Sequence, residues 1–454
     1  MAGYRALAVC WLVMAQAAVV SSAGAEPTVA QQPSLPAPAM SKDGPTKTPA
    51  KPATVPPSAA RSADARLEPV TFADLPGWSS DDHLAALTTF LKSCDAVAKA
   101  AAKSAGKAVS QCRVPAGELA EACRAAQDLK SPTKASAKAF FETHFTPRRV
   151  VQEKPKGLLT GYYEPVLEGS RTAQGKFQTP IYRRPSDLVN VVDEADRASK
   201  QTGFTHLRKA STGEETPFPT RAEIEQGALS GKGLELLYLE DPVEVFFMHI
   251  QGSGRIHLTD GTTVRINYDG KNGHPYSSIG RYLIENNILP ANKMSMQALG
   301  NWLREDKERG QKVMWQNKSF IFFRELGDGD GPMGAMSVPL TPGRSLAVDT
   351  SYHTLGTPIY LSVPDLSPGP SHATKGGGFN RLMVAQDVGS AIRGPERGDI
   401  YFGSGAKAGK LAGTTRHAGN FFVLLPAPTE TAGAGEGIRF GERLRWHTIV
   451  KGAP

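Results

Sequence analysis

Acids placed at the ends of short apolar runs can do proton chemistry, and this chain of 454 residues has three of them in its last third. The run Leu382-Met383-Val384-Ala385 leads to Asp387, a glycine-broken loop follows, and Asp399 opens the next run, Ile400-Tyr401-Phe402. Upstream, Ser345-Leu346-Ala347-Val348 ends on Asp349 in the same way. Short apolar runs bounded by turn residues read as buried strands, so three strands each deliver an aspartate. Carboxylates that are crowded and partly buried repel one another and lose hydration. That raises the pKa of at least one of them and leaves a general acid near neutral pH. Singly, an aspartate beside glycine is an ordinary turn former or backbone cap; the repetition is what points to chemistry.

Polar turns supply candidate binding groups. The run Pro242–Ile250 is rich in Val and Phe, reads as a strand, and ends in Gln251-Gly252-Ser253-Gly254, where the backbone can approach a ligand closely. A strand over Thr262–Tyr268 leads into Asp269-Gly270-Lys271-Asn272-Gly273-His274. Asp-Gly and Asn-Gly mark turns, and Lys271, Asn272, Gly273 and His274 would offer donors suited to sugar hydroxyls and acetamido groups. The loop from Gly389 to Gly394, with Arg393 in it, offers main-chain N–H groups. Other chemistries fit less well. Gly403-Ser404-Gly405 lacks the Gly-Lys-Ser/Thr of a phosphate loop, and Gln251-Gly252-Ser253-Gly254 lacks the first glycine of a serine-hydrolase elbow. The three aspartates are too dispersed for one cation-liganding loop, and His249, His274 and His417 are scattered, so no metal and no cofactor is assigned.

Lys plus Arg exceed Asp plus Glu by 52 − 44 = 8. This favours anionic partners such as nucleic acid, phospholipid headgroups or the acidic polymers of a cell wall, while the absence of a long Lys/Arg run or a basic, aromatic-interleaved helix argues against nucleic acid. Arg5, the apolar run Ala6–Val20 and the small residues through Ala25 read as a secretory signal peptide over 1–25. A Pro/Ala-rich linker over 26–66 has too few large apolar residues to order itself. Three helices are expected next, at about Asp81, over Ala116–Asp128 and over Lys134–Phe145, as a cover beside the chemistry. After export Cys94, Cys112 and Cys123 remain, and Cys94 with Cys123, across two packed helices, is the expected disulfide. Short helices are expected over Arg221–Ser230, Ser278–Asn287 and Met296–Arg309, and Asp187–Pro219 reads as a polar surface excursion. From about Ala335 short strands cut by Gly and Pro read as a small closed barrel, followed by a Gly-rich tail over 429–454.

Seven segments together carry a family resemblance: TGYYEP at Thr160–Pro165, PIYRRP at Pro180–Pro185, FFMHIQGSG at Phe246–Gly254, YDGKNGHPYSSIG at Tyr268–Gly280, MSMQA at Met294–Ala298, VPLTPGRSLAVD at Val338–Asp349 and AQDVGSAIRGPERGDIYFGSG at Ala385–Gly405. In these the chain resembles the membrane-bound lytic murein transglycosylase A family, whose C-terminal part is called the 3D domain after its three aspartates. The resemblance implies a mainly β protein with N-terminal helices. A double-psi β-barrel domain (67–162 and 335–428) would carry an inserted β domain (163–334), with a glycan groove between them. It implies cleavage of peptidoglycan between N-acetylmuramic acid and N-acetylglucosamine with a 1,6-anhydro product. Asp399 would be the acid, Asp387 and Asp349 its neighbours, and Tyr163 and the turns above would be groups on the glycan. The implied location is periplasmic, with other wall-remodelling proteins as further partners. Family members are often lipoproteins, whereas Cys10 stands in a poor context for lipid attachment, so membrane association is left open. A wall-binding module without catalysis and a hydrolytic muramidase are the alternatives at the same site.

Overall fold

The structure is a computed structural model and describes residues 65–104, 114–152, 157–192, 203–327, 329, 331–366 and 377–428. The expected signal peptide, all but the last two residues of the linker, Cys112 and the tail lie outside the described residues.

The first part runs β1 (Arg66–Pro69), α1 (His83–Ser104), α2 (Ala116–Gln127), α3 (Lys134–His144), β2 (Phe145–Val151) and β3 (Leu158–Glu164). Helix α1 starts after Asp82, whose carboxylate accepts from Ala85 N at 3.2 Å, two residues later than the Ser80 cap expected from sequence. Its face Ala86, Leu87, Phe90, Cys94 and Val97 is closed to solvent against α2 and α3. Cys94 and Cys123 form the expected disulfide. Helix α3 is opened by Thr133, which accepts from Ser136 N, and ends at His144; Pro147 lies inside the strand that follows.

The middle part holds β4 (Val166–Ser170), β5 (Thr179–Tyr182), β6 (Leu188–Asn190), β7 (His206–Lys209), β8 (Glu215–Thr216), the single turn α4 (Arg221–Glu223), β9 (Glu235–Leu239), α5 (Pro242–Gln251), β10 (Ser253–Leu258), β11 (Thr263–Lys271), α6 (Ile279–Glu285), α7 (Met296–Glu305), α8 (Lys307–Met314) and β12 (Ile321–Leu326). Six of these strands form a sheet in the order β12-β11-β10-β4-β9-β5, and β6-β7-β8 form a small one. The segment expected as a surface excursion therefore contains its own sheet. The strand expected over Pro242–Ile250 is a helix. Asp241 caps it by accepting from Val243 N at 2.8 Å, Pro242 takes the first turn, and Gly252 ends it at φ 79°. The helix expected over Met296–Arg309 breaks at Asp306, whose side chain caps α8 instead.

The last part holds β13 (Ser345–Val348), β14 (Pro358–Val363), β15 (Phe379–Asp387), β16 (Arg397–Ser404), α9 (Gly405–Thr414), β17 (Arg416–His417) and β18 (Asn420–Pro426). Helix α9 stands where only strands and turns were expected. Its small residues fit it closely over Tyr163: a Cβ on Gly409 would lie 2.8 Å from that ring.

Strands from both ends of the described chain build one nine-stranded sheet, β1-β2-β18-β14-β15-β13-β16-β3-β17. One face packs Tyr360, Leu382, Val384, Phe422 and Leu424 under α1–α3. The other buries Leu159, Leu346, Val348, Met383, Ala385, Ile400 and Phe421 in a second core. The sheet curls: the Phe421 ring of β18 lies 3.0 Å from where a Cβ on Gly398 of β16 would sit, although three strands separate them in the order. The order is linear, and among the described residues no pairing joins its two ends, so hydrogen bonding does not close the barrel expected from sequence.

Candidate active site

Strand β13 runs between β15 and β16. Its Ala347 pairs with Asp387 on one side and with Asp399 on the other, and Asp399 pairs in turn with Thr160 of β3. Directly paired residues point to the same face, so Asp387, Ala347, Asp399 and Thr160 form one row across four strands. Two strand spacings put the aspartate Cα atoms about 10 Å apart, with the Ala347 methyl between them. Tyr162 and Tyr401 stand one pleat along, their rings 5.3 Å apart, and with Leu340 and Ile392 they make an apolar wall.

Each acid is held. Thr160 donates its hydroxyl to Asp399 Oδ1 at 2.5 Å, and Arg397 Nη2 donates to Thr160 Oγ1 at 2.9 Å. The Tyr162 hydroxyl donates to Asp387 Oδ2 at 2.8 Å, and Ala335 N donates to Asp387 Oδ1 at 3.1 Å. Burial pushes Asp399 up to about 6, against the attraction of Arg397 and the Thr160 hydrogen bond. Burial also pushes Asp387 up to about 6, opposed by hydrogen bonds from Tyr162, Val388 and Ala335 and reinforced by repulsion from Asp399. Desolvation, rather than crowding of three charges, is thus the leading cause. Both groups are poised to keep or release a proton in mildly acidic to neutral water.

Asp349 has a different position. It is buried, and its carboxylate accepts from Ser351 N at 3.0 Å and Gly394 N at 2.8 Å, with Arg393 at 3.8 Å. It therefore fixes the end of the Gly389–Gly394 loop, and one of the N–H groups expected to face a ligand is already engaged. Within that loop Ile392 N donates to Gly389 O. A cleft of about 200 Å³ opens beside it, lined by Lys271, Tyr276, Ser390 and Arg393 among others. Lys271 Nζ donates to Ser390 Oγ at 3.3 Å, tying the six-stranded sheet to the loop that follows Asp387.

The remaining candidates are dispersed. Gln251 Oε1 accepts from Tyr163 N at 3.0 Å, while the Tyr163 ring packs on α9. Gly252 ends α5, Ser253 begins β10, and Gly254 lies under Met248, whose sulfur would be 2.7 Å from an added Cβ. Asn272 is closed to solvent. Its amide donates to Pro219 O and Lys318 O, and its Oδ1 accepts from Phe320 N. Gly273 packs on His206, and His274 Nε2 meets Phe218 O at 2.7 Å. None of these three lines the cleft: turn chemistry placed them correctly in loops, but burial turned them to backbone partners. Thr160, Tyr162, Tyr276, Ser390, Arg397 and Tyr401 were not singled out from sequence. For Thr160 and Tyr162 the usable signal was strand parity, since both lie on the face opposite to Tyr163 in a strand that also carries the TGYYEP segment.

Comparison with known proteins gives one consistent result. The family description "MltA specific insert domain" matches residues 158–324, and "3D domain" matches residues 344–425. The chain is 38% identical over 277 residues to the membrane-bound lytic murein transglycosylase A of Escherichia coli (strain K12), a match spanning 59% of this chain and 66% of that protein. It is similar to the crystal structure of a membrane-bound lytic murein transglycosylase from Agrobacterium tumefaciens, at 37% identity and a TM-score of 0.68, over 80% of this chain and 98% of that one. The structure of E. coli MltA with bound chitohexaose is similar at 29% identity and a TM-score of 0.56, over 80% and 95% of the two chains.

Proposed function

The chain belongs to the membrane-bound lytic murein transglycosylase A family, and from that premise we propose that it is a peptidoglycan lytic transglycosylase with Asp399 as acid and then base. Protonated Asp399 gives its proton to the glycosidic oxygen between N-acetylmuramic acid and N-acetylglucosamine, and the C1–O bond breaks. The muramoyl C6 hydroxyl then attacks C1, and the Asp399 carboxylate takes the hydroxyl proton. The product is a 1,6-anhydromuramoyl end, no water is consumed, and the acid is restored. A nucleophile already tethered to the substrate supplies a large entropic advantage, so the second carboxylate that hydrolytic glycosidases use on water is not required. The observation that carries this reading is Asp399, held by Thr160 on a half-buried strand row with its pKa raised to about 6. At pH 7 roughly one molecule in ten then has the proton in place.

Asp387 stands in the same row and is itself raised in part by repulsion from Asp399, and Asp349 shapes the neighbouring loop. Lys271 and Arg393 line the cleft and suit the carboxylates of murein. In this reading the curled nine-stranded sheet is the double-psi β-barrel, with 163–334 inserted. Support comes from its mixture of parallel pairs, β13 with β15 and β16 with β3, around an antiparallel β13–β16 pair. The family and the N-terminal pattern support an exported, periplasmic location. Among the described residues no helix is long and apolar enough to cross a membrane.

The test is to digest purified murein sacculi with the protein and with Asp399→Asn, and to weigh the muropeptides. Anhydro-muropeptides from the wild type alone are expected, about one water lighter than hydrolysis products. Reducing ends would identify a hydrolase. Binding without cleavage would identify a wall-binding module, and equal activity of the variant would move the acid elsewhere.

A further inference from the structure

Asp387 owes its position to an irregularity in β15. Ser345 pairs with Val384 and Leu346 with Ala385, but the next residue, Ala347, pairs with Asp387. Gln386 is the extra residue of a β-bulge. Strand parity makes this consequential. In unbroken register Asp387 would stand opposite Val348, on the face that carries Leu346, Met383 and Ala385 in an apolar core. A one-residue shift moves a side chain to the other face. The bulge therefore delivers Asp387 to the row of Ala347 and Asp399, within reach of the Tyr162 hydroxyl.

The Gln386 side chain ties the bulge to its surroundings, beside the main-chain bond from Met336 N to Gln386 O. It is closed to solvent, and its amide is engaged at both ends. Nε2 donates to Thr89 O at 3.0 Å and to Ser93 Oγ at 2.7 Å, both in α1. Oε1 accepts from Ser345 Oγ at 2.5 Å, and Ser345 Oγ accepts from Thr341 N at 2.8 Å. Thr89 O only accepts, which fixes the orientation of the amide. Ser93 adjoins Cys94, which is bridged to α2. The N-terminal helices are thus more than a cover for the sheet.

Resting on the transglycosylase reading, we infer that Gln386 is a positioning residue: its amide clamps the β15 bulge to α1 and Ser345 and so sets Asp387 in the row of Asp399. A side chain with no contact to substrate then governs the geometry of the acid pair. Misplacement of a reacting constellation by about 1 Å lowers turnover by up to about a hundredfold.

The experiment compares the full chain with Gln386→Leu, which keeps the volume and removes all three hydrogen bonds, and with Ser93→Ala, which removes one of them from the helix side. Two quantities are read: kcat and KM for release of anhydro-muropeptides, and the titration of the Asp387 carboxyl by ¹³C NMR in aspartate-labelled protein, assigned with Asp387→Asn. The expected result is a kcat lower by about tenfold or more in Gln386→Leu and by a few-fold in Ser93→Ala, with KM within about twofold. The Asp387 titration should move in both, because its contact with Tyr162 is disturbed. Wild-type kcat together with an unmoved Asp387 titration would overturn the inference, however far Tm falls, and would leave Gln386 as packing alone. If Gln386→Leu does not fold, Ser93→Ala decides by the same readings. If the wild type releases no anhydro product the functional reading fails, while the carboxyl titration still decides whether Gln386 places Asp387.

Discussion

Asn in place of Asp399 should remove activity and, above pH 6, stabilise the fold. The folded-state pKa of Asp399 is about 6 against an ordinary 3.8, so the folded protein binds this proton more tightly than the unfolded chain. The contribution of the group to stability is fully present below about pH 3.8 and is lost as pH rises through about 6. Integrating between the two values gives a loss of roughly 0.6 kcal/mol at pH 4, 1.6 at pH 5, 2.6 at pH 6 and 3 at pH 8. Asparagine has no proton to lose and escapes this penalty, and its Oδ1 can still accept from the Thr160 hydroxyl that now meets Asp399 Oδ1. Arg397 keeps its bonds to Thr160 Oγ1 and to Gly398 O. The attraction between Arg397 and the carboxylate is already contained in the net shift.

The measurement is urea unfolding of wild type and Asp399→Asn at pH 4, 5, 6 and 8. The quantity to follow is the change of their stability difference with pH, because any constant effect of the amide cancels. It should grow in favour of the variant by about 2 to 2.5 kcal/mol from pH 4 to pH 8, with most of the rise between pH 4 and 6 and little above 6. A difference that stays flat across this range, or one that moves toward the wild type, would refute desolvation as the source of the raised pKa. The acid would then need another origin, and Asp399 would be an ordinary carboxylate at neutral pH.

Three further outcomes follow from the same structure. Turnover of murein should fall about tenfold per pH unit above pH 6 to 7, since a carboxyl raised to about 6 must be protonated to act, and a pH–rate profile checks this. Glu164, closed to solvent, ends β3 and meets Arg265 of β11 at 2.6 Å and Ser404 Oγ at 2.5 Å. Glu164→Gln leaves a buried guanidinium without its counter-charge, and denaturant melts should show a loss of about 3 to 5 kcal/mol. Opening the Cys94–Cys123 bridge, which spans 29 residues, with Cys94→Ser and Cys123→Ser together should lower stability by about 3 to 4 kcal/mol, read in the same melts under non-reducing conditions.

How much of this site could be read from the chain depends on whether the determinant is local. An apolar run that ends on an acid is local, so the strands bearing Asp349, Asp387 and Asp399 were legible, as was a disulfide between two amphipathic helices. Helix α5 was not, because it lies between two cores. Val245 and Met248 face one and Val243, Phe246 and Phe247 the other, so two apolar stripes overlap in the sequence and no single one stands out to distinguish it from a strand. Its caps, Asp241, Pro242 and Gly252, were the better signal. The partners of the acids were harder still. Thr160 is 239 residues from Asp399, and nothing near either residue indicates that β3 will lie beside β16. The bulge is the extreme case. Along β15 the alternation from Leu382 to Gln386 is unbroken, with Leu382, Val384 and Gln386 toward α1 and Met383 and Ala385 toward the inner core. Continuing that alternation assigns Asp387 to the inner core, where a carboxylate could not stay charged. Only the register against β13 reverses it, and register belongs to a pair of strands, not to either one. The feature of this sequence that most resembled a misplaced charge is therefore where the pairing must slip, and an acid with the wrong parity in an otherwise regular strand is itself evidence for a bulge beside it.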